Sequence, residues 1–267
     1  MILFKNLFYR FLKCDFFRKK IIHFICYNYF HELDHKIPLG NGYWVQLLEN
    51  DAYDSFSEIF IMQEYLDYLP DEPIQKIIDI GANYGYFSLW LQAKNPDWII
   101  KSLLIEASRT SLRSLRKLKS DKKLNNNFQF LSRAIGNPQN SITEFYERPY
   151  MAGSLIKTDD GDYSTSVDTL QEVEVSDAMH PPYDLIKCDI EGAEWHFLSY
   201  YSDTIKKSRY LLMEWHSWHI GGGGINQVEN KLKEIGFEIT KRSSPFKAVG
   251  RSGEVGLFLA KNLNFGN

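Results

Sequence analysis

Asp79, Glu106, Lys187, Asp189, Glu191, Glu214 and His216 all stand at, or just past, the ends of apolar, strand-like runs. Carboxylates, a lysine and a histidine gathered at strand tips can hold a polar ligand and remove a proton from it. Alternation along a strand places Lys187 with Asp189 on one side, and Glu214 with His216 likewise. A histidine of ordinary pKa accepts a proton near neutral pH, which makes His216 the first choice for a general base. Asp189 would stand beside it or orient the group that gives up the proton. Lys187 is the third catalytic candidate, and Glu191 and Glu214 are candidates for contact with a substrate. A second scheme gathers Asp189, Glu191 and His216 around a divalent cation, where the oxygen-rich set would suit magnesium; no metal requirement is expected. Plainer readings compete. Glu191 and Glu194 fall in the first turn of a helix, where the macrodipole alone favours carboxylates, and Lys187 inside an apolar strand could simply pair with an acid.

These residues need a scaffold, and the chain supplies a regular one. IQKIIDI, IIKSLLIEA, NFQFLSRAI, YDLIKCDI and RYLLMEW read as strands. YGYFSLWLQAK, SLRSLRKLKS, EGAEWHFLSYY and NQVENKLKEIG read as the helices between or after them, the last closed by Gly236. Alternation of this kind implies an α/β fold with a mostly parallel sheet covered on both faces. FEITKR and EVGLFLAKN are joined without a helix, so they are expected to be antiparallel neighbours at the end of the sheet. Upstream, SEIFIMQEYLDYL (57–69) has helical apolar spacing, and GNGYWVQL (41–48) reads as a short strand after a glycine turn. Residues 136–180 are rich in turns, with short strands at SITEFYE and SVDTL. The division expected is an accessory segment over 1–56 and one Rossmann-like domain over 57–267.

The first strand–turn–helix, DIGANYG (79–85), is the most informative. A triphosphate loop needs a lysine and a Ser/Thr after its glycines, and no lysine follows here until Lys94. A dinucleotide loop needs G-x-G-x-x-G to approach a pyrophosphate. This turn is Gly81-x-Asn83-x-Gly85, and Asp79 would repel a pyrophosphate. Asp79 suits a ligand with a positive end and no phosphate, such as S-adenosylmethionine. Glu106, at the tip of the second strand, can accept hydrogen bonds from two ribose hydroxyls. Ala134, at the end of the third, would leave room for an adenine ring.

Read together, DIGANYG (79–85), LIEAS (104–108), RAIGN (133–137), SVDTL (166–170), DLIKCDIEGAEWHFL (184–198) and LLMEWH (211–216) resemble the FkbM-type family of S-adenosylmethionine-dependent methyltransferases. The resemblance covers roughly residues 57 to 216. It implies a class I, Rossmann-like methyltransferase sheet, mostly parallel with an antiparallel C-terminal strand. It also implies methyl transfer to a hydroxyl, often on a sugar, glycolipid or natural product. Carried over by position, Asp79, Gly81, Asn83 and Gly85 are similar to the family's cofactor loop and Glu106 to its ribose-binding acid. Where the family commonly has a proline after that acid, this chain has Ala107.

The 267 residues are 44% apolar and 24% charged, with a formal charge of −3, so no global basic field points to nucleic acid. The Lys117–Lys123 stretch is expected to be a solvated helix face. Cys14, Cys26 and Cys188 have neither an even count nor metal-ligand spacing, which suits a reducing cytoplasm. Residues 1–30 mix phenylalanines with lysines and arginines and contain no uncharged run long enough to span a bilayer. They suit an interfacial helix against the inner, anionic membrane face, or a helix packed on the core. Gly221 to Gly224 suggest a mobile lid beside the last catalytic strand, where His219 also lies. Tyr146, Tyr150 and Tyr163 could face a sugar ring. The expected activity is O-methylation of a sugar, glycan or glycolipid hydroxyl. The alternatives are methylation of a small natural product and a non-catalytic scaffold in polysaccharide assembly.

Overall fold

Apolar runs that alternate with amphipathic ones fold here into a single large sheet with helices on both faces. The computed structural model describes residues 35–48, 52–124, 126–148, 153–157, 163–218, 224–247 and 253–266. The N-terminal basic–aromatic segment, Tyr150, His219 and Gly221–Gly223 lie outside the described residues.

The chain opens with a hairpin, β1 (His35–Gly40) and β2 (Tyr43–Leu47), followed by a short helix α1 (Ala52–Phe56). Then come β3 (Lys76–Ile80), α2 (Tyr86–Lys94), β4 (Lys101–Glu106), α3 (Leu112–Ser120) and β5 (Phe128–Ser132). A second hairpin, β6 (Ile142–Glu147) and β7 (Tyr163–Asp168), precedes α4 (Glu172–Ala178) and β8 (Tyr183–Cys188). Two short helices, α5 (Glu194–Tyr200) and α6 (Ser202–Lys206), lead to β9 (Ser208–His216) and α7 (Ile225–Glu234). The chain ends with β10 (Phe237–Arg242), β11 (Phe246–Lys247) and β12 (Glu254–Asn262).

The main sheet has the order β10-β12-β9-β8-β3-β4-β5, with β11 pairing on β12. Strands β9, β8, β3, β4 and β5 are parallel, and β12 runs antiparallel to both β9 and β10. The final strand is therefore inserted beside β9 rather than added at the edge, the arrangement of a class I methyltransferase sheet. Its parallel strands are buried on both faces, which is why they read as continuous apolar runs. Ile78, Ile80, Ile186 and Cys188 pack beneath α4, α5 and α6, while Ile77, Leu185 and Leu212 pack against Phe87 and Trp90 of α2. Carboxyl ends of β3, β4, β8 and β9 lie side by side, so side chains at those ends meet.

Two local readings differ from the structure and a third agrees with it. The expected helix over 57–69 is a π-helical turn, Ser57–Met62, broken at Gln63 (φ 54°) and followed by a 3₁₀ turn, Leu66–Tyr68. The short strands expected at SITEFYE and SVDTL are present as β6 and β7, which pair with each other off the main sheet. Helix α4 emerges within the turn-rich stretch, signalled by a capping box in which Gln171 and Glu174 satisfy each other's backbone N–H groups. The first hairpin also packs onto the main domain: Val45 and Leu47 share a core with Leu89 of α2 and Leu115 of α3, and Tyr86 donates to Gln46 O at 2.9 Å. No helix among the described residues is long and apolar enough to cross a membrane.

Candidate active site

A cleft of about 310 Å³ opens at the carboxyl ends of the parallel strands, lined by Asn83, Glu106, Ala134, Lys187, Asp189 and Glu214 among others. This is where an open α/β sheet places its ligand.

One end is built from the turn after β3. Gly81, Asn83 and Gly85 all adopt left-handed backbone conformations, with φ of 69°, 49° and 75°. The asparagine thus occupies a position where a glycine would be ordinary, and its side chain is held by Ser111 Oγ, which donates to Asn83 Oδ1 at 2.8 Å. Gly81 has no room for a side chain: a Cβ would lie 1.7 Å from the Asp189 carbonyl oxygen. Gly85 serves packing instead, since a Cβ there would meet Leu118 at 2.5 Å.

Glu106 closes this end. Asn83 N–H donates to its Oε2 and Ser108 N–H to its Oε1, each at 2.7 Å, so the carboxylate ties the loops after β3 and β4 together. Each oxygen retains capacity for another donor. Burial raises the carboxyl to about 7, against the lowering effect of the two N–H bonds. A buried acid on a cleft wall that still has acceptor capacity fits a ribose diol, and buried Ala134 on the same wall fits a flat ring. The residues present therefore suit the nucleoside part of a cofactor.

Asp79 is not on the cleft wall. It is fully buried, accepts from Ser88 Oγ at 2.8 Å and lies 3.7 Å from Lys187 Nζ. The positive group it meets is therefore this lysine rather than a ligand. The same ammonium donates to Gly81 O at 3.1 Å and stands 3.4 Å from Asp189 Oδ2, linking the two strand ends. Burial works against its charge, but Asp189 and Asp79 outweigh burial and hold the lysine charged.

At the other end, His216 is 2% exposed. Its Nδ1 is 2.8 Å from Oε1 of Glu194, itself fully buried, and its Nε2 is 3.8 Å from both Glu191 Oε2 and Glu214 Oε1. Burial opposes protonation, yet Glu194 above all, with Glu191 beside it, pushes the imidazole up to about 10. At neutral pH the ring is an imidazolium. Its Nδ1 is engaged by Glu194, its Nε2 faces the Glu191 and Glu214 carboxylates, and the residue does not line the cleft, so the structure gives His216 the place of a counter-charge behind those carboxylates rather than of a general base facing an acceptor. Asp189, Glu214 and His216 do present their polar atoms within 4.8 Å of one another, and Glu191 Oε2 lies 3.8 Å from His216 Nε2.

Two contributors take roles in the structure that the sequence reading did not give them. Glu194 has the form of an ordinary helix-start acid but orients His216. Tyr65 has the form of an apolar helix position, yet its hydroxyl lies 3.1 Å from Asp189 Oδ2 and 3.3 Å from Glu214 Oε2.

Residues 79–239 match the family model described as Methyltransferase FkbM domain, well over half of the chain. A search of curated sequences returns no match. Among solved structures the chain is similar to M. capricolum TrmK in complex with S-adenosylhomocysteine (9% identity, 77% of this chain and 69% of that one, TM-score 0.45). It is also similar to Aeropyrum pernix fibrillarin with bound S-adenosylmethionine (12%, 74% and 71%, TM-score 0.44). With a Streptococcus pneumoniae protein at 11% identity and TM-score 0.42, 72% of this chain aligns and spans 65% of the other's length. With the matched domain running from Asp79, at the head of the cofactor turn, to β10, the chain belongs to the FkbM family of S-adenosylmethionine-dependent methyltransferases.

Proposed function

We propose that this methyltransferase acts on a hydroxyl of a sugar, glycan or glycolipid, with Asp189 as the base that receives the hydroxyl proton. The observation that carries the reading is the position of Asp189: on the cleft wall, ion-paired with Lys187 and flanked by Glu214, Glu191 and the imidazolium of His216. A cleft end so dense in hydrogen-bonding groups suits an acceptor with several hydroxyls.

Bound S-adenosylmethionine supplies an electrophilic methyl group. Glu106, Asn83, Gly81 and Ala134 would hold its nucleoside. An alcohol is a weak nucleophile at neutral pH, so the chain must take its proton as the carbon–oxygen bond forms. Asp189 is suited to that, and Glu191 and Glu214 to aligning neighbouring hydroxyls. Lys187 pins Asp189 and the Gly81 turn together, which couples cofactor and acceptor positions. Residues 1–34 are proposed to bring the enzyme to an anionic membrane face on the cytoplasmic side, where glycolipid acceptors are found. Nucleic acid is not proposed as an acceptor.

The test is methyl transfer from labelled S-adenosylmethionine into separate glycolipid, nucleotide-sugar, small-molecule and RNA pools. Label should enter a glycolipid or sugar fraction and fall at least 100-fold with Asp189→Asn, the scale of losing a general base. Label in RNA alone, or an Asp189→Asn enzyme as active as the wild type, would overturn the reading.

A further inference from the structure

Tyr65 lies outside the matched family domain, on the short segment between the π-helical turn and β3. Its position is determined locally. After the π-helical turn, Gln63 takes a left-handed conformation, and the N–H groups of Gln63 and Glu64 both turn back to Glu58 O. Such π-turns recur at functional sites because they redirect a side chain within a helix. Here the redirection sends Tyr65 inward. Its ring packs edge-on against Phe87 at 5.1 Å, and its hydroxyl ends between two carboxylates from different strands.

A hydroxyl has one proton to donate. It can satisfy Asp189 or Glu214 in this way, but not both. The second oxygen–oxygen contact, at 3.3 Å, is favourable only if another proton lies in it. We infer that Tyr65 is a positioning residue whose hydroxyl donates to Asp189 and accepts from a Glu214 that carries a proton. The direction follows from the neighbours. Asp189 Oδ2 is also 3.4 Å from the Lys187 ammonium, which keeps it an acceptor. Glu214 is farther from that cation and faces Asp189, Glu191 and Glu64, with His216 as its counter-charge. Burial and the Asp189 charge raise the Glu214 carboxyl well above the ordinary range, with the imidazolium opposing. Burial, Asp189, Glu64 and Glu58 likewise keep the phenol of Tyr65 protonated.

The consequence deepens the proposed reaction and rests on it in one respect, that Asp189 is the base. Among the described contacts, both Tyr65 and Lys187 fall on Oδ2 of Asp189. Oδ1 is then the oxygen for the acceptor proton, and its aim is set by a residue upstream of the family domain.

The test needs neither acceptor nor cofactor, so a failed acceptor screen leaves it standing. In protein with carbon-13 at glutamate carboxyls only, one resonance besides that of Glu106, which is itself partly protonated near neutrality, should lie in the protonated position at pH 7 and vanish in Glu214→Gln. In Tyr65→Phe, which keeps the ring against Phe87, that resonance should titrate about one pH unit lower or more, because the hydrogen bond to the neutral form is gone. Unchanged thermal unfolding in Tyr65→Phe would exclude a merely structural effect. A Glu214 ionised at pH 7 in the wild type, or an identical midpoint in Tyr65→Phe, would overturn the inference.

Discussion

At the residue scale the site is governed by two buried groups shifted in opposite senses of charge. Glu106 is raised by burial to about 7, so near neutrality the ligand-free acid is partly protonated. Ribose hydroxyls donate best to the ionised form, and S-adenosylmethionine should therefore bind more tightly as pH rises from 6 to 8, releasing a proton. Calorimetry in buffers of differing ionisation enthalpy would measure that release. Glu106→Gln should weaken binding about ten- to a hundredfold, the scale of losing a charge-assisted hydrogen bond, and should abolish the pH dependence. The stability sign is separate. A carboxyl raised in the folded state contributes most below its unfolded pKa, and this contribution is lost as pH rises through about 7 in the ligand-free protein.

His216 behaves as a cation. Its folded pKa of about 10 exceeds the ordinary 6.5, so its contribution to stability is complete below 6.5 and lost as pH rises through about 10. Glu194→Gln removes the nearest carboxylate and should flatten that decline, measured as unfolding temperature against pH. The sequence made His216 visible as a strand-end imidazole. It could not show Glu194 Oε1 at 2.8 Å, because the pairing spans a helix start and a strand end. Glu106 was legible for the opposite reason: its place depends only on where one strand stops.

At the element scale, the junction between β3 and β8 is the tightest point. The parallel register pairs Ile80 with Cys188, and Asp189 N–H donates to Ile80 O at 3.1 Å. The Asp189 backbone therefore fills the space over Gly81. Gly81→Ala would force a Cβ into that carbonyl at a residue with φ of 69°, so backbone must move. We expect a loss of about 3 kcal/mol or more of stability and no detectable cofactor binding, read by thermal unfolding and calorimetry. An alanine variant with wild-type affinity would mean that the turn tolerates a different path. Such turns were readable from DIGANYG because φ > 0 favours few residue types. The π-turn was not readable, since apolar spacing over 57–69 fits a regular helix equally well and only packing against Phe87 selects the alternative.

At the scale of the whole molecule, the parallel order of the sheet was implied by strand–helix alternation, but the insertion of β12 between β9 and β10 was not. Antiparallel pairing of the last two strands leaves open which of them meets β9, and burial decides it: Val255 to Ala260 are all buried, whereas β10 alternates as an edge strand should. The same logic bears on the start of the chain. An accessory segment ending at residue 56 would detach cleanly, yet Tyr43, Val45 and Leu47 are buried against Leu89, Leu115 and Leu124. They cover α2, which is buried along nearly its whole length because the hairpin protects the side facing away from the sheet. Two truncations separate the proposed membrane role of residues 1–34 from this structural one. Deleting residues 1–34 should leave unfolding temperature and S-adenosylmethionine affinity unchanged while abolishing sedimentation with anionic, but not neutral, vesicles. Deleting residues 1–48 should in addition expose at least two core aliphatics, a loss of about 3–6 kcal/mol. That corresponds to an unfolding temperature lower by roughly 5–15 °C in a chain of this size. If the shorter deletion destabilised the protein equally, residues 1–34 would belong to the core instead of the membrane. If neither deletion altered vesicle binding, the membrane contact would have to lie on the folded domain, with the exposed Arg113, Arg116 and Lys117 face of α3 as its site.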